Sequence, residues 1–177
     1  MLLFAAYENL LKSLTRTLLE AAIGLRVGNR RLQPGFRAFA MASAAESTRD
    51  VSLKKLYSHA LPKLVEASDP GGRTCTILPG AFPADGSFMK QTQIKLWCQL
   101  FCVPEPRRIL HRTWDSIDSV VAERNAIAHG SLTPQAVGRN YSERDIRLLI
   151  ADWFADWHDF LDTVEALGQH RAFYRKP

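Results

Sequence analysis

The chain has 177 residues, with 46% hydrophobic and 23% charged side chains and a formal net charge of +5. This is the composition of a globular protein long enough to bury a core without disulfides, and it excludes a disordered, collagen-like or membrane-embedded chain. The positive charge fits a polyanionic partner without requiring one.

The opening Met-Leu-Leu-Phe-Ala-Ala-Tyr is apolar, but Glu8 interrupts it and no basic leader or cleavage site follows, so no secretory leader is predicted. No stretch reaches the length of a membrane span. Residues 2–23 instead read as an amphipathic helix, with Leu3, Tyr7, Leu10, Leu11, Leu14, Leu18 and Ala21 at helical spacing. A break follows from Gly24 to Gly35, where Arg26, Arg30, Arg31 and Arg37 form the densest basic patch. Its default reading is a solvated connection between helices; the sharper one is a clamp for an RNA backbone.

A short helix is predicted around Phe36–Met41, and a longer one over 51–67 carrying Val51, Leu53, Leu56, Leu61, Leu64 and Val65, kinked at Pro62. From Asp69 to Ser87 the chain is rich in glycine and proline. Gly71-Gly72-Arg73 lacks the lysine and following hydroxyl of a triphosphate-binding loop, so this segment is a linker by default, or a flap over substrate. Helical pattern resumes at 88–102 and 113–128.

The last helix has the clearest pattern. Ser142 and Asp145 form a capping box, and Ile146, Leu149, Ile150, Trp153, Phe154, Trp157, Phe160, Leu161, Val164 and Leu167 repeat at helical spacing before Gly168. That wide aromatic stripe predicts core, with a surplus for a dimer interface. His158, between Trp157 and Asp159, reads as structural. No strand pattern of any length is present, so the predicted fold is an all-α bundle in a single domain over residues 1–177. Three cysteines make an odd count, which fits small apolar residues in a reduced compartment, and a cytoplasmic location is expected. Cys98 and Cys102 lie one turn apart, but no matching pair follows and no metal site is predicted.

The candidate site is Ala122-Glu-Arg-Asn-Ala-Ile-Ala-His-Gly130. Trp114, Ile117, Val120 and Val121 repeat at helical spacing and carry Arg124 on the same side, so Arg124 leaves the core near the helix end. Arginine grips phosphate with a fixed, two-pronged cation, and histidine moves protons near neutral pH. On a continuing helix, residues five apart point about 140° away from each other. Gly130 is expected to stop the helix in the left-handed conformation and to leave His129 free to swing toward Arg124. Asn125 either bonds phosphate or ribose, or fixes the helix end.

These residues resemble a HEPN domain, a helical-bundle family marked by an arginine, a polar residue next, and a histidine a few positions on. Arg124, Asn125 and His129 match, and the string Arg-Asn-Ala-Ile-Ala-His-Gly before a loop and a capped final helix is similar to the RiboL-PSP-HEPN branch. Tyr7-Glu8-Asn9-Leu10-Leu11 fits that branch loosely. The resemblance implies a metal-independent endoribonuclease, often a toxin or defence effector, with two protomers joining Arg124 and His129 in a shared cleft. An antitoxin or other regulatory protein is an implied partner. Ser131 stands where members silenced by AMP transfer carry a tyrosine, so that control is not expected.

The chemistry is arguable without the family. RNA carries its own nucleophile in the 2′-hydroxyl, so cleavage needs no cofactor or metal if a base takes that proton and a cation stabilises the phosphorane. One histidine per chain cannot be base and acid in the same step, which predicts a homodimer. The alternative, from another class, is a noncatalytic HEPN-like module that binds RNA, a nucleotide or a protein.

Overall fold

At the start of the longest helix, Ser142 and Asp145 cap each other as expected. The Ser142 amide and hydroxyl donate to Asp145 Oδ2 at 2.9 and 2.6 Å, and the Asp145 amide donates back to Ser142 Oγ at 3.2 Å. The structure is a computed structural model that describes residues 2–24, 28, 31–68, 77, 89–172 and 174. Among them the elements are α1 (Leu2–Gly24), α2 (Pro34–Glu46), α3 (Leu53–Lys55), a π-helical turn (Leu56–Ala60), α4 (Leu61–Ser68), α5 (Gln91–Leu100) and α6 (Pro106–Ile109). A 3₁₀ turn (Trp114–Ser116) then leads into α7 (Ile117–Ala128), followed by α8 (Pro134–Gly138) and α9 (Glu143–Gln169). The fold is all-α. The described residues contain no strand, only an isolated antiparallel bridge between Leu32 and Tyr174.

The chain divides into two compact units. The first comprises Met1–Leu11, Asp85–Cys98 and Val103–Leu167. Its core is aromatic. Tyr7 is buried, donates from its hydroxyl to the Met89 carbonyl at 3.0 Å, and meets the rings of Trp153 and Trp157 at 5.6 and 4.6 Å. Burial, with the charge of Asp118 as a lesser cause, pushes its phenol well above the usual range. Phe160 continues the cluster between Trp157 and Trp97, at 5.1 and 5.5 Å. The apolar face of α1 is rotated from the expected one. In this unit Phe4, Tyr7 and Leu11 are buried, while Leu3 and Leu10 are only half-buried.

One charged side chain is fully enclosed in this unit. Asp156 has no exposed surface and accepts from the Thr113 amide, the Thr113 hydroxyl and Arg112 Nη1, each at 2.8 Å. It ties α9 to the turn that precedes α7. The α9 stripe is otherwise half core: Trp153, Trp157, Phe160 and Val164 are buried, whereas Ile146, Ile150 and Phe154 are exposed. The helix also passes through Gly168 rather than stopping before it.

The second unit comprises Lys12–Ala84, Gln99–Cys102 and Gly168–Pro177. Here Leu19, Ala22, Leu32, Phe36, Phe39, Ala40 and Phe101 are buried, and the Phe101 ring lies 5.4 and 5.0 Å from Phe36 and Phe39. The second helix is longer than the expected 36–41. Pro34 begins it, where a missing amide hydrogen costs nothing. Gly35 lets it approach closely, since a Cβ there would lie 2.5 Å from the Leu100 carbonyl oxygen. Residues 51–67 form not one kinked helix but two short ones around the π turn. Pro62 has no amide to give to the Ser58 carbonyl, and the Leu61 amide bonds Leu56 instead, one residue wider than an α-helix. Leu53 and Val65, expected on the buried face, are exposed, and Ala60 is the buried residue of this stretch.

The expected helices at 88–102 and 113–128 are α5, shorter at both ends, and α7, which begins later but ends at 128 as expected. Two short helices, α6 and α8, have no counterpart in the sequence reading; each begins with a proline in its first turn. The glycine-proline segment 69–87 lies outside the described residues apart from Ile77, which is buried. No helix among the described residues is long and apolar enough to cross a membrane.

Candidate functional site

Helix α7 carries the motif and is fixed at both ends. At its start Asp118 Oδ1 accepts the Gln91 amide at 2.8 Å, and Gln91 Nε2 donates to the Trp114 carbonyl at 2.7 Å. Ile117 and Val121 lie fully buried along one face, and Arg124 is next on that face, half-buried. As the spacing implies, Arg124 leaves the core near the helix end. Its guanidinium carbon sits 4.6 Å from the centroid of the buried Phe4 ring of α1. That stack favours the cation electrostatically and fixes its plane. Nη1 donates to Asn125 Oδ1 at 3.0 Å. No described carboxylate pairs with Arg124, so most of its five donor hydrogens remain for a ligand. The Asn125 side chain therefore orients Arg124 and does not cap the helix.

The helix end is a Schellman motif. The Gly130 amide bonds the Ile127 carbonyl at 3.1 Å and the Ser131 amide bonds that of Ala126 at 2.9 Å, with Gly130 at φ 73°. The left-handed stop is where the sequence put it. His129, however, still belongs to the helical ladder, its amide donating to the Asn125 carbonyl at 2.9 Å. Its side chain thus leaves α7 about 140° from that of Arg124. His129 is exposed.

A cavity of about 880 Å³ opens beside Arg124. Its lining is mostly apolar, with Leu3, Phe4, Val120, Ile127, Val137 and Leu149 among the walls. Glu123 and Tyr141 also line it, joined by a short hydrogen bond from the Tyr141 hydroxyl to Glu123 Oε1. This bond raises the Tyr141 phenol above its ordinary range, with burial a lesser cause. Neither Asn125 nor His129 lines the cavity. The structure therefore brings Arg124 to an apolar chamber and His129 to open surface on the same helix end.

The basic patch falls largely outside this picture. Arg26 and Arg30 lie outside the described residues, Arg31 is exposed, and Arg37 Nη2 donates to the Ser68 carbonyl at 2.9 Å. Cys98 is buried, which pushes its thiol up to about 12, and Cys102 is half-buried; among the described residues no group of side chains could hold a metal ion. His158 makes a surface contact with Asp162 Oδ2 at 3.4 Å, one turn on.

No family model, curated protein or solved structure matches the chain.

Three residues of the site were not singled out in the sequence. Phe4 was hidden in an apolar helix, and its contact with Arg124 spans 120 positions. Glu123 stands inside the string Ala122–Gly130 but has no role of its own there, and Tyr141 is a surface-like residue with no motif. Asp156 did leave a signal: a carboxylate three residues after Trp153 and four before Phe160 sits on the apolar face and requires a partner.

Proposed function

We propose that the protein is a homodimeric, metal-independent endoribonuclease in which Arg124 binds the scissile phosphate and His129 transfers protons. The observation that carries this reading is an arginine held by Phe4 and Asn125 yet free of any described carboxylate, with an exposed histidine at the end of the same helix. A guanidinium satisfied by its own protein would be structural; one oriented and left open is built for an anion.

The reaction balances on RNA alone. The 2′-oxygen attacks phosphorus, its proton passes to a base, the bond from phosphorus to the 5′-oxygen breaks, and that oxygen takes a proton from an acid. Arg124 stabilises the charge that grows on the non-bridging oxygens. The divergence of Arg124 and His129 on one helix argues for two chains. In a dimer with the two helix ends facing, the histidine of one chain meets the arginine of the other, and two imidazoles supply base and acid. The exposed Phe154, which does not line the cavity, offers apolar surface for such pairing.

A noncatalytic binding module is the second reading. It is favoured by His129 lying outside the cavity that Arg124 lines. Sedimentation together with RNA cleavage separates the two. The ribonuclease sediments as a dimer and loses roughly 10²–10⁴-fold of its cleavage in Arg124→Ala and in His129→Ala, each still folded. Unchanged cleavage by a folded His129→Ala removes the catalytic reading.

A further inference from the structure

The cavity beside Arg124 is much larger and more apolar than a phosphate contact requires. At about 880 Å³ it lies within the range of small-molecule sites. A phosphodiester backbone has no use for such walls, because burying its charge against them costs free energy. A nucleobase suits them, with two apolar faces and a polar edge.

The polar groups of the cavity define that edge. Glu123 directly precedes Arg124, and both line the chamber. Tyr141 holds Glu123 Oε1, which fixes the carboxylate and leaves Oε2 as its uncommitted acceptor among the described residues. An ionised carboxylate accepts hydrogen bonds and donates none, so it selects base edges rich in N–H donors. Adenine, cytosine and guanine carry an exocyclic amino group, and guanine adds a ring N–H beside it. Uracil has no amino group, and its single N–H lies between two carbonyl acceptors that a carboxylate repels. Three further carboxylates, Asp115, Asp145 and Asp152, line the same cavity, and its second cation, Arg112, is already paired with Asp156 and Asp159. They disfavour additional phosphates, so the chamber suits one base joined to one phosphate and not a polyphosphate tail.

We infer that this cavity is a base-binding subsite, in which a nucleotide places its phosphate on Arg124 and its base in the chamber, with an amino-bearing base, guanine foremost, donating to Glu123. Base and phosphate together name the substrate nucleotide of the ribonuclease reading, on which the inference rests for the phosphate being part of RNA. Glu123 is then a specificity-determining residue, and Tyr141 positions it.

The test is titration calorimetry of the full-length protein with the four nucleoside 3′-monophosphates and with inorganic phosphate. Wild type should bind the guanine nucleotide at least tenfold more tightly than the uracil one, with adenine and cytosine between. Glu123→Gln should bring all four to the uracil level, and should not weaken the binding of inorganic phosphate. Val137→Trp, which fills the cavity from α8, should bring all four to the level of inorganic phosphate. Equal affinity of wild type for the four nucleotides overturns the inference, as does a Glu123→Gln protein that keeps the ranking. Should Glu123→Gln lose its far-UV dichroism, Tyr141→Phe decides: it loosens Glu123 without removing it, so the guanine preference should narrow but persist, and a preference that disappears, or that does not narrow at all, also overturns the inference. Binding is read without cleavage. A ranked set of affinities with no cut RNA would sink the nuclease and leave the base site, whereas cut RNA with no ranking would do the opposite.

Discussion

Replacing Asp156 should destabilise the protein more than its single charge suggests, because the carboxylate is the sole described acceptor for two donors on a residue with no exposure. Thr113 is fully buried, and its amide and hydroxyl both reach Asp156 Oδ2 at 2.8 Å. Hydrogen bonds to a charged group contribute about 1.5–3 kcal/mol each, so Asp156→Ala, which loses two, should cost about 3–6 kcal/mol. Arg112 adds little to this, since its side chain is exposed and screened. A loss of that size approaches the whole stability of many domains, so the informative variant is Asp156→Asn. It keeps the volume and one acceptor, but turns an amide donor toward another donor, and should cost about 1–3 kcal/mol. Urea unfolding followed by far-UV dichroism reads this as a fall in midpoint of about 1 M. Thr113→Val removes only the hydroxyl, and its effect should shrink in the Asp156→Asn background, as expected for residues sharing one network. A shift below about 0.5 kcal/mol for Asp156→Asn, or strict additivity with Thr113→Val, would refute this account of how α9 holds the turn before α7.

Gly130→Ala should lower stability by about 1–2 kcal/mol through backbone strain alone, because φ is 73° and a Cβ would meet nothing within 4 Å; a melting temperature equal to wild type would contradict the Schellman stop. In alkylation at pH 8 followed by peptide mass spectrometry, Cys102 should react before Cys98 among the two described cysteines, and Cys98 only after denaturant is added, since Cys98 is buried; early labelling of Cys98 would contradict that burial. Its thiol moves from 9.0 to about 12 on folding, so the unfolded chain ionises first, and stability should be intact below pH 9 and fall as pH climbs toward 12. Cys98→Ala should remove part of that limb, the buried Tyr7 phenol supplying the rest, and an unchanged alkaline slope would contradict the contribution of Cys98.

Much of the fold was legible in the sequence where one local rule sufficed. The Ser142–Asp145 box, the glycine stop at 130 and the run of α7 each follow from a few neighbouring residues, and each is present. Legibility failed where distant residues compete for the same surface. The first helix was read one position off at several sites, because Leu3, Leu10, Leu14 and Leu18 are as apolar as the residues that are buried, and only packing chooses between such faces. Leu53 and Val65 were assigned to a core face on periodicity alone, before the π turn shifted the register. Within the site, Arg124 was placed correctly by its spacing from Ile117 and Val121. The cavity was not, since Phe4, Glu123 and Tyr141 meet only after three separate elements fold. His129 shows the limit of a motif: it caps the helix with its amide still bonded to the Asn125 carbonyl, and the string of letters does not say to which side it points.

The central claim is that Arg124 and His129 cut RNA by attack of the 2′-hydroxyl, and the most direct measurement is end-group analysis of RNA treated with wild type and with His129→Ala, in chelator. The expected products from wild type are a 2′,3′-cyclic phosphate and a 5′-hydroxyl, and a 2′-deoxy nucleotide at the cut position should abolish that cut while leaving binding intact. With His129→Ala the same ends should form roughly 10²–10⁴-fold more slowly. Ends bearing a 5′-phosphate, cleavage that vanishes in chelator, or equal rates from the two proteins would contradict the claim.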